Sequence, residues 1–114
     1  MMKTAAIYDN LEFNEKRPLV QVLFETTFTK EIRIAMYKGN EMKEHKTSFP
    51  IVVEIVDGSV NFGVEGKVLN LNKGQLIALN GGVPHSLKAL EESIVRLTLT
   101  KSDEANRVAD VAEK

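Results

Sequence analysis

A chain of 114 residues suits one domain with a sizeable buried core, and its lack of cysteine excludes disulfides and thiolate metal sites. Fifteen basic residues against sixteen acidic ones give a formal charge of -1, which argues against the basic face of a nucleic-acid binder. No stretch approaches the roughly 20 apolar residues of a membrane span, and Met1-Met2-Lys3-Thr4-Ala5-Ala6-Ile7-Tyr8-Asp9 lacks the long apolar run of a signal peptide, so a cytoplasmic protein is expected.

Residues 10–18 are polar and read as irregular chain. The apolar run Leu19-Val20-Gln21-Val22-Leu23-Phe24 follows. Over residues 31–37, Ile32, Ile34 and Met36 alternate with polar neighbours, as a half-buried strand requires, and Lys38-Gly39-Asn40 closes it. Residues 51–56 are more uniformly apolar and β-branched, which predicts a strand covered on both faces. Asp57-Gly58 is a hairpin signal between that strand and the next, residues 59–64, whose Val60, Phe62 and Val64 share a face. Glu65-Gly66 and Lys73-Gly74 predict two more reversals, and Asn80-Gly81-Gly82-Val83-Pro84 a loop stiffened by its proline. Residues 93–100 alternate again, with Val95, Leu97 and Leu99 on one side. Residues 103–113 place Ala105, Val108, Ala109 and Ala112 on one helical face, as in a short docking helix or a frayed tail. Short strands separated by frequent turns predict an all-β sandwich or barrel, one domain over 1–114.

Two glycine-anchored segments then align. Gly39 lies six residues before His45, with Gly58 ending the segment; Gly74 begins a second that contains Gly82 and ends at His85. This pattern resembles the cupin superfamily, whose first motif reads G-x5-H-x-H-x3,4-E-x6-G and whose second reads G-x5-P-x-G-x2-H-x3-N. The resemblance covers about residues 31–100 and implies a double-stranded β-helix, or jelly-roll barrel. His45 and His85 fall on the first histidine of each motif. Thr47 stands in place of the second histidine and Ile51 in place of the glutamate, while Asn80 and Ala89 replace the proline and asparagine of the second motif.

Family members use these positions to hold a divalent metal with three imidazoles and one carboxylate. The resemblance therefore implies zinc, nickel, iron or manganese at His45 and His85, but only an incomplete two-histidine set is left here. Threonine is a poor ligand for imidazole-preferring metals and isoleucine is none. Alternation sets Glu44 and Glu54 on the face opposite His45 and Ile51, away from the site. The expected pocket is lined by Met42, His45, Thr47, Ile51, Phe62 and His85; Met36, Val53 and Val64 are expected to be core. Arg33 and Arg96 are expected on an exposed or salt-bridged sheet face, in keeping with the burial habits of charged residues.

The preferred expectation is a small-molecule-binding, non-catalytic cupin, with the histidines as polar anchors in an apolar pocket. A metal-dependent cupin enzyme (dioxygenase, isomerase or decarboxylase) and a dimerisation or regulatory module are the alternatives, since the fold hosts many unrelated chemistries. A homodimer is expected, with residues 19–24 available for the contact and an open sheet edge to be covered.

Overall fold

A computed structural model describes residues 1–101, which form nine strands and no helix; the segment 103–113, expected to be helical, lies outside the described residues. The strands are β1 (Leu19–Glu25), β2 (Thr29–Met36), β3 (Glu41–His45), β4 (Ile51–Asp57), β5 (Ser59–Val64), β6 (Lys67–Asn72), β7 (Leu76–Leu79), β8 (His85–Ala89) and β9 (Ser93–Thr100). They make two antiparallel sheets, one ordered β1-β2-β9-β4-β7 and the other β3-β8-β5-β6.

Only β1–β2 and β5–β6 are sequence neighbours paired within one sheet; every other connection among the described strands passes from one sheet to the other. That repeated crossing winds the chain into a jelly roll and leaves one core between two inner faces. Strand alternation supplies the core directly. Ile32, Ile34 and Met36 of β2, Ile51, Val53 and Ile55 of β4 and Val95 of β9 face Val60, Phe62, Leu71, Leu87 and Ala89 of the other sheet, all buried in one cluster. Each of these side chains larger than Ala89 contributes roughly 1.5–3 kcal/mol by leaving water. The outer face of β4 is half-buried at Val52, Glu54 and Val56, so that strand is covered less evenly than its sequence predicts.

Asp57-Gly58 is not a hairpin. β4 pairs with β7 and β9, whereas β5 pairs with β6 and β8, so the chain turns a corner there and changes sheet. Gly58 has φ +92°, and a Cβ on it would overlap the hydroxyl of Ser93 and the carbonyl of Glu92. The hairpin signal located the turn correctly, but the partners of its flanking strands are set by distant residues. Glu65-Gly66 does close a two-residue hairpin between Val64 and Lys67, with φ of 53° and 74°, the left-handed pair that matches sheet twist.

Arg33 also departs from expectation. It is 3% exposed, on the outer face of β2, because the N-terminal segment crosses that face and covers it. Its guanidinium donates to the carbonyls of Ile7 (2.9 Å), Asp9 (2.7 Å) and Asn10 (3.3 Å) and to Gln21 Oε1 (2.9 Å). A fork of five N–H groups suits several carbonyls at once, so the two terminal nitrogens exchange water for protein acceptors, while the buried Nε has no partner among the described residues. Arg96 meets expectation, pairing with Glu54 (2.9 Å) and Glu31 (3.1 Å) on the same sheet. Among the described residues no helix is long and apolar enough to cross a membrane.

Candidate functional site

β3 and β8 bring the two histidines together. Met42 pairs with Leu87 and His45 with His85, so three steps along β3 match two along β8. The extra residue is a β-bulge at Lys43-Glu44. In a regular strand residues 42 and 45 would point to opposite faces; the bulge turns both Met42 and His45 inward. The ring centroids of His45 and His85 lie 4.4 Å apart with planes tilted by 59°. Behind His85, Phe62 stacks at 5.7 Å with ring planes 7° apart. His85 is buried, whereas His45 stands exposed at the mouth.

Both rings are held the same way. Nδ1 of His45 lies 2.7 Å from the Lys43 carbonyl and Nδ1 of His85 3.0 Å from that of Val83. A carbonyl only accepts, so each Nδ1 carries the proton and, in the neutral ring, Nε2 keeps a free lone pair. The bonds fix tautomer and ring orientation together.

Between the sheets, Met42, His45, His85 and Leu87 enclose a chamber of about 20 Å³ with Ile34, Val53, Val95 and Leu97. That is room for about one water. Outside it, Pro18, Val20, Glu41, Met42, Lys43 and His45 line an open depression of about 310 Å³. It lies between β1 and β3, each the outermost strand of its sheet. Val20, on the edge strand β1, is the register partner of Ile34 yet remains 58% exposed.

Of the six pocket residues expected from sequence, Met42, His45 and His85 line the chamber and Phe62 backs it. Thr47 follows the end of β3 and donates its hydroxyl to the Phe49 carbonyl (3.0 Å), while its own carbonyl accepts from Gly82 N (2.7 Å). Ile51 begins β4 and is buried between its partners Leu79 and Leu99. Neither borders the chamber. The walls Ile34, Leu87, Val95 and Leu97 were not singled out as pocket residues; their in-facing alternation beside the two histidine strands is the signal that marks them.

A catalytic divalent metal does not fit this donor set. Such sites take three protein ligands, or two histidines with a carboxylate. Among the described residues no three His, Cys, Asp or Glu side chains converge. Glu54 is engaged by Arg96, Glu41 pairs with Lys88 at 3.6 Å, and the Thr47 hydroxyl is spent on the backbone.

Two crossing antiparallel sheets enclosing a histidine-lined mouth define a cupin-type double-stranded β-helix. Solved structures agree on the fold. An RmlC-like cupin protein from Desulfovibrio desulfuricans superposes with a TM-score of 0.81 at 18% identity, over 88% of this chain and 97% of that one. A conserved protein of unknown function from Streptococcus pyogenes gives 0.76 at 20% identity, covering 90% of each chain. An uncharacterised protein with a double-stranded β-helix domain from Klebsiella pneumoniae gives 0.76 at 14%, over 88% of this chain and 90% of that one. No curated protein sequence matches. Residues 30–101 match the AraC-like ligand binding domain, and the chain belongs to that family.

Proposed function

We propose that this protein is a non-catalytic cupin that binds a small molecule at the seam between β1 and β3, with His45 and His85 as its polar anchors. The observation that carries this reading is the pair of backbone-fixed imidazoles at the mouth of an otherwise apolar chamber. Their free Nε2 atoms accept hydrogen bonds, so the ligand presents an O–H or N–H group to them. The chamber's volume of about 20 Å³ admits no more than that group; the rest of the ligand lies in the 310 Å³ depression over Pro18, Val20 and Met42. Ligand sites are mostly apolar with a few placed polar groups, as here. Thr47 and Ile51 serve at one remove, Thr47 by pinning the loop after β3 and Ile51 by packing the core beneath.

The test is a fragment screen by NMR on the untagged chain. Small alcohols, amines and carboxylic acids are expected to shift resonances of His45, His85, Met42 and Val20, and His85→Leu is expected to abolish those shifts. Binding that leaves all four unmoved overturns the reading.

The whole chain, 1–114, is read as one such unit working in the cytoplasm as a homodimer. The support for the dimer is β1 itself, an unpaired sheet edge whose Val20 and Val22 are exposed apolar side chains. Light scattering is expected to give twice the chain mass; a monomer at high concentration would remove that part of the proposal.

A further inference from the structure

The loop between β7 and β8 carries the only Asn-Gly dipeptide of the chain, Asn80-Gly81, and the fold requires its glycine. A Cβ on Gly81 would lie 2.4 Å from the carbonyl oxygen of Ser48 and 3.1 Å from Cα of Phe49, so neighbouring backbone excludes every other residue there. We propose that Asn80 is a site of spontaneous deamidation, and that the isoaspartate it forms releases the loop that holds His85.

The chemistry needs only this dipeptide and water. The Gly81 backbone nitrogen, losing its proton to base, attacks Cγ of Asn80; the new C–N bond closes a cyclic imide, and the side-chain nitrogen leaves as ammonia. Water then opens the ring at either carbonyl. One product is aspartate, with the backbone intact. The other is isoaspartate, whose main chain runs through the former side chain and is longer by one methylene. Water taken up and ammonia released balance the step, and nothing is oxidised or reduced. Glycine favours the closure because it has no Cβ to crowd the attack or restrict rotation.

The surroundings set Asn80 apart from the other described asparagines. It is exposed, and among the described residues neither its amide nor the Gly81 N–H enters a hydrogen bond. Asn40 is buried, its side chain accepting from Tyr37 N (2.8 Å) and donating to the Glu15 carbonyl (3.2 Å). Asn61, Asn70 and Asn72 are joined side chain to side chain on β5 and β6. Asn10 and Asn14 precede Leu11 and Glu15, whose side chains crowd the same attack.

The product matters because the loop is held at two points beyond Asn80. Gly82 N–H donates to the Thr47 carbonyl (2.7 Å), and the Val83 carbonyl accepts Nδ1–H of His85 (3.0 Å). The extra methylene enters just before Gly81, which already lies tight against Ser48, so the loop moves outward and both bonds are lost. Aspartate adds a charge on the exposed side but keeps the backbone length, and so leaves His85 in place.

The experiment ages the untagged full chain at mildly alkaline pH and follows its tryptic peptides by mass spectrometry. Digestion in heavy-oxygen water marks any conversion that occurs during preparation. The peptide of residues 74–88 is expected to gain one mass unit and to split into two chromatographic forms, while that of residues 68–73, with Asn70 and Asn72, stays unchanged. Aged Asn80→Gln is expected to stay unchanged as well. In the aged wild type, the two ring nitrogens of His85 are expected to drift toward averaged chemical shifts as isoaspartate accumulates; in fresh Asn80→Asp they hold. Residues 74–88 converting no faster than residues 68–73 would overturn the site. Isoaspartate that leaves the His85 shifts unmoved, or fresh Asn80→Asp that moves them equally, would overturn the release of the loop. Peptide mass and the His85 ring report these outcomes without a ligand, so the ligand reading and this one can fail separately.

Discussion

The hydroxyl of Tyr8 donates a hydrogen bond to the carboxylate of Asp57, 49 residues further along, and so ties the N-terminal segment to the corner where the chain changes sheet. The bond raises the pKa of Tyr8 above the ordinary 10.0, first through the hydrogen bond itself, then through burial and the negative charge of Asp57. It lowers that of Asp57 below 3.8, helped by Lys73 at 3.4 Å. A raised tyrosine contributes stability that is complete below its unfolded pKa and is lost as pH rises through the folded one. A depressed aspartate contributes stability present above its unfolded pKa and lost as pH falls through the folded one. The melting-temperature difference between wild type and Tyr8→Phe is therefore expected to be flat from roughly pH 5 to 9 and to shrink at both extremes. A difference that persists unchanged at pH 2 would show that the pair is not what distinguishes the two proteins.

Arg33 fixes the same segment from beneath. Replacing it with Met keeps the aliphatic stem but leaves the carbonyls of Ile7, Asp9 and Asn10 without their donor. Hydrogen bonds to charged groups contribute about 1.5–3 kcal/mol each and are not additive, so a loss of about 2–4 kcal/mol is expected in urea unfolding. Trypsin is expected to cut faster after Lys16 in the variant; Arg17 precedes Pro18 and is not a trypsin site. Stability within about 0.5 kcal/mol of wild type, the range of a neutral surface change, would mean that the segment is held without it.

Strands with strict alternation were readable from sequence, and the best of them kept their ends. Residues 59–64 and 93–100 are β5 and β9. Alternation is local physics, so one strand's residues suffice to state it. What depends on a partner was not readable. The bulge at Lys43-Glu44 exists only in the count against β8, and without it Met42 and His45 belong to opposite faces. Thr47 was placed by the motif spacing alone, and it lies beyond β3, which ends at His45. Arg33 is buried by residues 7–10, a short stretch with no periodicity to announce that it covers a sheet. The histidines came together because paired motif positions carry tertiary information that alternation lacks.

The corner at Gly58 provides a comparison of two glycines in similar backbone. Gly39 and Gly58 have φ of +89° and +92°, but a Cβ on Gly39 meets nothing within 4 Å, whereas on Gly58 it meets Ser93 and the Glu92 carbonyl. Left-handed backbone costs a non-glycine residue roughly 1–2 kcal/mol, so Gly39→Ala is expected to lose about that much. Gly58→Ala adds overlap with backbone that cannot move aside, about 1–3 kcal/mol more. Urea midpoints for the two variants are expected to separate in that order. Equal losses would show that backbone conformation, rather than the close approach of β9, is what Gly58 provides.

Phe62 is fully buried and stacks on His85, so it supports the core and the site by the same contact. Phe62→Leu removes the flat face against which the imidazole lies while filling most of the volume. An expected loss of about 1–2 kcal/mol lies below the 3–5 kcal/mol usual for truncation to alanine. The sharper expectation concerns the ring. In the wild type, nitrogen chemical shifts of both histidines are expected to report the Nδ1–H tautomer at neutral pH, because the carbonyls of Lys43 and Val83 accept from that atom. In Phe62→Leu the ring of His85 is free to rotate away from Val83, and its two nitrogens are expected to drift toward averaged shifts while those of His45 hold. Averaging at His45 as well would show that the two rings are held as one unit through their mutual contact. An Nε2–H tautomer in the wild type would remove the acceptor on which the ligand site depends.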